Sequence, residues 1–296
     1  MSHGAAAGGG HFNLTGGMPS RATAGSTGVY RIREGTKMRT CKRLIAAGGV
    51  ALGAMALSLI VSAGALAQAP AVDPAAVQKM KRMFDFLDAQ QQFSVETQSI
   101  VEEIRFSKHR VDYDLTANVV VKRPNKLSAV RSGELMNEQL FYDGKTLTLY
   151  RPADKSYASA TAPDTIERMI DFARETVGIL LPAADLVYRG AYPLMMQDVS
   201  LAAVVGKAAI GGVNCDHLLF SRPGVDFQIW IAEGDKPWPC KYVVTETDTP
   251  TKLSITTFLS NWNFAPAVPD SKFNFVAPKD ARVIPMPNES AGGSDR

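Results

Sequence analysis

Histidine and cysteine are scarce in this chain, with four and three among 296 residues, and they form no cluster. Metal centres and activated nucleophiles draw on those side chains, so little room is left for such chemistry. His3, His11 and Cys41 fall in the first quarter, which does not read as domain sequence, and His109 sits in the turn Ser107–Arg110. Cys215, His217 and, farther along the chain, Cys240 remain, and only the first two are close in sequence. Two apart on a strand they share a face, but no third ligand or orienting group accompanies them. Asp112 and Asp114 also share a strand face, and solvated strand residues are a simpler reading than an acid–base pair. Gly211-Gly212 lacks the strand-to-helix context of a phosphate cradle and reads as a turn. The sequence therefore predicts no catalytic residue, no metal and no cofactor, which is not the profile of an enzyme.

Large apolar side chains are few in residues 1–37, which are rich in Gly, Ala, Ser and Thr. Such a stretch cannot bury enough surface to offset chain entropy, so it is expected to be disordered, or to reflect a start codon placed too early. Met38 opens a different pattern: Arg39, Lys42 and Arg43, then the apolar run Leu44 to Ala63, then Ala65-Leu66-Ala67. That order of charged, apolar and cleavable parts predicts a secretory signal peptide over 38–67. A transmembrane anchor competes, because the run approaches the roughly 20 residues that span a bilayer. The many Ala and Gly residues and the Ala-x-Ala end favour cleavage, and no cysteine follows to carry a lipid anchor. Periplasmic localisation is the expectation. Seven of the 32 basic residues but one of the 29 acidic residues precede Gln68, so removing the signal turns the formal charge from +3 to −3. The basic balance is then no nucleic-acid footprint, and no nucleic-acid partner is expected.

Residues 68–296 read as one domain with a short disordered C-terminal tail. Val72-Asp73-Pro74 offers an N-cap and a first-turn proline, and Val77, Met80, Met83, Phe84 and Leu87 follow at helical spacing, predicting a helix to about Gln91. The period then switches to two in long strands at Ser94–Phe106 and 111–121. Turns at 123–126, 132–133, 143–144 and 151–154 separate strands at 127–131, 139–142, 145–150 and 156–159. A second helix carries Ile166, Met169, Ile170, Ala173 and Val177 on one face and ends at Gly178. Ile179 to Leu181, a short helix near 183–188 and Tyr192 to Met196 lead to strands near 199–205, 213–221, 225–232, 240–247 and 253–262. The fold class is α+β: a single curved antiparallel sheet that wraps the helices.

Cys215 and Cys240 would occupy an oxidising compartment that permits a disulfide. In a flat meander they stand two strands apart, about 9.6 Å by strand spacing, whereas a disulfide needs Cα atoms within roughly 7 Å. A bent approach to either strand would close the gap, so the pairing stays open.

Three stretches carry a resemblance: Phe141-Tyr-Asp-Gly-Lys-Thr-Leu-Thr-Leu-Tyr150-Arg-Pro-Ala-Asp-Lys-Ser-Tyr157, the aromatic-Gln-Ile-Trp-Ile strand at 227–231, and the ending Trp262…Pro266…Phe273…Phe275…Pro278. They resemble the LolA-like periplasmic lipoprotein-carrier superfamily and, within it, a group of uncharacterised predicted periplasmic proteins, over residues 74–286. The resemblance implies an incomplete barrel with a helical lid over an apolar cavity that accepts acyl chains. No central arginine is matched to the carriers' lid-locking one.

The expected function is a periplasmic binding or carrier protein for a hydrophobic ligand, a lipid or lipoprotein acyl chain, with lipid or acylated protein as partner. Burial alone would hold it, at about 0.8 kcal/mol per methylene. The residues expected to line the pocket are Phe141, Leu149, Met169, Ile170, Leu180, Met195 and Trp230. The alternative is an envelope regulatory or interaction module that senses lipoproteins without transporting them, its partner an envelope protein.

Overall fold

The computed structural model describes residues 71–287. The leading segment 1–37, the signal peptide expected at 38–67 and residues 288–296 lie outside the described residues. Asp73 adopts extended backbone and its side chain accepts from the Ala75 N–H, Pro74 occupies the first turn, and helix α1 (Pro74–Ala89) follows. Met80, Met83, Phe84 and Leu87 share the buried stripe expected from their 3.6-residue spacing, while Ala76 is buried at its start and Val77 is half-buried. Each large side chain taken from water there contributes about 1.5–3 kcal/mol.

Strands β1 (Gln92–Arg105) and β2 (His109–Lys122) form a hairpin paired along its whole length. They continue into β3 (Lys126–Gly133), β4 (Asn137–Tyr142), β5 (Thr146–Arg151) and β6 (Ser156–Thr161) as a meander. Residues 162–200 leave the sheet. They hold α2 (Ile166–Asp171), a wider π-helical turn (Phe172–Val177), a 3-10 turn (Ala184–Val187) and α3 (Ala191–Met196). The single helix expected over 166–177 is thus two pieces. Gly178 ends the second at φ 77, a left-handed conformation that glycine adopts without a Cβ penalty.

The chain returns as β7 (Leu201–Ile210), β8 (Val213–Arg222), β9 (Val225–Ala232), β10 (Pro239–Glu246) and β11 (Ser254–Asn263). A two-residue strand, β12 (Arg282–Val283), adds to β6 in parallel. The sheet order β12-β6-β5-β4-β3-β2-β1-β11-β10-β9-β8-β7 joins two meanders through β1 and β11. Bulges at Ser94/Glu96, Val204/Gly206 and Pro239/Lys241 break the register, and such irregularities bend and twist the strands that carry them. The expected single curved antiparallel sheet is therefore present, and it is not closed.

Side-chain alternation divides the sheet into two faces. The inner face carries Val119, Val121, Leu127, Ala129, Leu140, Tyr142, Leu147, Leu149, Leu218, Phe220, Phe227, Ile229 and Tyr242, all joined to the α1 stripe in one core. On the outer face Cys215, Trp230, Ala232, Cys240 and Val243 form a separate cluster. Among the described residues no helix is long and apolar enough to cross a membrane.

Candidate functional site

Connectivity dictates where the segment 162–200 must go. Strand β6 lies one strand in from one edge of the sheet and β7 is the other edge. A chain leaving the first and entering the second has to cross the sheet, and it crosses the inner face with Ile166, Met169, Ile170, Ala173, Val177, Leu186, Ala191 and Met195 turned into the core. Its helices are too short to persist unaided, so packing and side-chain anchors hold them.

Arginines supply those anchors. Arg131 on β3 lies on the inner face with its side chain 3% exposed, bonds Glu138 on β4 at 2.9 Å, and donates to the Leu180 carbonyl of the crossing segment. Burial pulls its pKa below the usual arginine value, and Glu138 opposes that shift. Arg123, in the turn after β2, donates to the Val187 carbonyl at 2.7 Å and to Glu167 of α2 at 3.3 Å. Within the segment Arg174 bonds Asp185 at 2.7 Å and the Leu181 carbonyl at 3.2 Å. Tyr142 on β4 donates to the Pro163 carbonyl, and burial pushes its pKa up to about 12. Tyr188 donates to Asp171, and burial together with that bond raises its pKa strongly. These are polar fastenings on an apolar cover. Two of these arginines, Arg131 and Arg123, reach the crossing segment's carbonyls from outside it. The alternation of β3 puts Arg131 on the face of Leu127 and Ala129, and an arginine in that apolar row was the available signal.

The seven residues expected to line a pocket divide between two faces. Leu149, Met169, Ile170 and Met195 meet in the inner core, each no more than 4% exposed. Leu180 is half-buried in the cover and contributes its carbonyl to Arg131. Phe141 and Trp230 belong to the opposite face. Phe141 packs with Tyr150 and Tyr157 around Phe275 of the C-terminal tail, at ring distances of 4.9–5.5 Å. Trp230 stacks on His217 at 3.9 Å and receives the Lys241 ammonium at 4.5 Å. Both aromatics sit one residue out of phase with the core rows Leu140/Tyr142 and Ile229/Ile231, and in a strand that one residue reverses the face. Beneath the crossing segment the inner-face side chains belong to one continuous buried core. Two clefts of about 230 and 290 Å³ that do open have charged rims, at Lys79/Arg82/Asp216/Glu233 and at Arg123/Glu167/Arg189.

Cys215 and Cys240 are joined by a disulfide with Cα atoms 7.1 Å apart. The register break between Pro239 and Lys241, at the point where β9 runs out, brings β10 closer to β8 than flat strand spacing allows. Cys215 is therefore no thiolate for His217, whose ring is occupied by Trp230 and by Gln228 at 2.9 Å. Asp112 and Asp114 are exposed.

Solved structures similar to the chain include Mycobacterium tuberculosis lipoprotein LppX, with 13% identity over 67% of this chain and 100% of that one and a TM-score of 0.40. LprF from Mycobacterium bovis is 13% identical over 72% of this chain and 100% of its own, with a TM-score of 0.40. A LolA superfamily protein from Nitrosomonas europaea is 9% identical over 68% and 97%, with a TM-score of 0.34. No curated protein matches the chain. Residues 76–286, most of the chain and nearly all of its sheet and lid, match one family, and the chain belongs to it: the predicted periplasmic proteins of DUF2092.

Proposed function

We propose that the protein carries or holds a hydrophobic ligand, a lipid or the acyl chain of a lipoprotein, against the inner face of its sheet in the periplasm, after export by the signal at 38–67. The observation that carries this reading is the cover itself. Residues 162–200 run from β6 to the far edge β7 without joining the sheet, and they present Ile166, Met169, Ile170 and Met195 to an apolar surface. In this arrangement the cover fills the place of a guest, and a guest enters as the cover lifts. Methionine suits the exchange, because its flexible thioether repacks against differently shaped apolar partners. Of the seven expected residues, Leu149, Met169, Ile170, Met195 and Leu180 stay in the proposed site, while Phe141 and Trp230 serve the outer face.

Native mass spectrometry of gently purified protein tests the reading. Lipid retained by the protein, and lost when Met169→Asp puts a charge under the cover, is the expected result. Protein that takes up no lipid when offered acyl chains in detergent micelles sinks it. A second reading, an interaction module for an envelope protein, draws on exposed apolar side chains at Leu194 of α3 and at Leu201, Val204 and Val205 of edge strand β7. Capture of a folded envelope partner by protein that takes up no lipid would favour it.

A further inference from the structure

The turn after β2 holds a buried donor with nothing to donate to. Arg123 has a side chain only 2% exposed, yet its Nε–H meets no acceptor. Its other nitrogens reach the Val187 carbonyl and Glu167, the latter at 3.3 Å, longer than the roughly 2.7–2.9 Å usual for a charge-assisted bond. Arg123, Pro124, Glu167 and Arg189 line one cleft of about 290 Å³. Negative charge is short there. Glu167 offers a single oxygen, Oε1, to both Arg123 and the backbone N–H of Arg189. The neighbouring Asp88 carboxylate is engaged by the Gly190 N–H at 3.1 Å. Burial, and then the like charge of Arg189, pull the Arg123 pKa down against the opposing pull of Glu167 and Asp88. One guanidinium and one backbone N–H share that oxygen, and Arg189 lines the same cleft; a second oxyanion would complete the site, since each guanidinium is a planar fork of donors matched to phosphate.

We propose that this cleft binds a phosphate group, the headgroup of a lipid whose chains lie under the cover. The phosphate takes the free Nε–H of Arg123 and the guanidinium of Arg189, and displaces Glu167 from Arg123. Glu167 belongs to α2, the first helix of the cover, so the incoming headgroup loosens the cover where the acyl chains must enter. This rests on the carrier reading for the source of the phosphate, and the chemistry of the cleft stands apart from it.

Binding to the full chain is measured for dioleoylphosphatidate and for dioleoylglycerol in uncharged maltoside micelles, and for inorganic phosphate alone. The native protein, Arg189→Gln and Glu167→Gln are compared. Arg189 is exposed, so its loss leaves the fold intact, and Glu167→Gln removes the competing anion. Phosphatidate should bind about tenfold to a hundredfold tighter than dioleoylglycerol, the range expected from a charge-assisted pair of bonds. Arg189→Gln should abolish most of that preference and Glu167→Gln should enlarge it, a gain that a purely structural Glu167 would not give. Inorganic phosphate binding as tightly as phosphatidate supports the cleft and overturns the headgroup as its source. Both lipids binding equally, with neither variant altering the ratio, overturns the phosphate site and leaves the carrier. Phosphate titrating with dependence on Arg189 while neither lipid binds overturns the carrier and keeps the anion site.

Discussion

Helix α1 and the segment 162–200 cover the same face of the same sheet, and they are held there by different means. Helix α1 has 16 residues, an aspartate cap, a proline in its first turn and a continuous apolar stripe that runs directly into β1. The crossing segment contains two helices of six residues, a widened turn and left-handed residues at Gly178, Ala183 and Gly190. Its backbone is secured by side chains that reach in from the sheet, notably Arg131, Arg123 and Tyr142. A region held this way can open without unravelling its support, because the strand ladder of the sheet does not run through it. The difference teaches that equal burial does not mean equal stability: α1 belongs to the scaffold and the crossing segment is a fitted cover.

Phe84→Ala tests the scaffold half of that contrast and should have the largest effect. Phe84 is fully buried, and losing its ring should cost about 3–5 kcal/mol, read as a lower urea midpoint. Met169→Ala removes a side chain of similar burial from the cover. It should mainly quicken hydrogen exchange over 166–196, with a smaller shift of the global midpoint. Equal midpoint shifts for the two variants would mean that cover and scaffold unfold as one unit, and the contrast would fall.

Arg131→Met comes next. It leaves buried Glu138 with only the 4.0 Å approach of Arg151, at a cost of up to about 3–5 kcal/mol, and also strips the Leu180 carbonyl of its donor. Adding Glu138→Leu should recover most of the global stability, because an apolar pair can replace a buried ion pair. Exchange near Leu180 should stay fast in the double variant, since the carbonyl is still unanchored. Slow exchange there would show that Arg131 stabilises the sheet and does not fasten the cover.

The same contrast explains what the sequence discloses. Helix α1 follows from local rules, the Asp73-Pro74 start and the spacing of Met80 to Leu87, so its bounds could be read within two residues. The β-meanders follow from alternation and from turns such as Asp143-Gly144, where Gly144 takes φ 98 beside the Asn125 side chain. The cover was legible as apolar and helical with a stop at Gly178, yet the widened turn from Phe172 was not, and Leu180 is anchored by Arg131, far away in sequence on β3. Phase was the harder quantity. Phe141 and Trp230 are large and apolar, which suggests a core, but their neighbours at 140, 142, 229 and 231 hold the inner positions. The disulfide was hidden because the bulge beside Pro239 shortens a distance that flat strand spacing sets too long.

Asp73→Ala should have a smaller effect than the core variants. It deletes the bond to the Ala75 N–H and should cost about 1 kcal/mol of global stability without changing exchange in the cover. Faster exchange over 166–196 in that variant would tie the cover to the start of α1.

The smallest effect belongs to Asp270, in the 3-10 turn of the C-terminal tail. Its carboxylate accepts from Lys122 and Lys126 at 2.7 Å each, on either side of the turn that carries Arg123. The Lys122 bond, then the Lys126 bond, pull its pKa from 3.8 to about 2. A folded-state pKa below the unfolded one means the contribution is complete above pH 3.8 and fades as pH falls through 2. Asp270→Asn should therefore lower stability slightly at neutral pH and match the native protein near pH 2, because an exposed pair is screened by solvent. The Pro124 carbonyl of that turn accepts from the Ile166 N–H, where the cover begins. If Asp270→Asn leaves exchange at Ile166 unchanged, the turn is held by β2 and β3 and the cover hangs from the scaffold. If exchange there quickens at pH 7 and not at pH 2, the tail steadies the point from which the cover opens, and the hinge extends beyond residues 162–200.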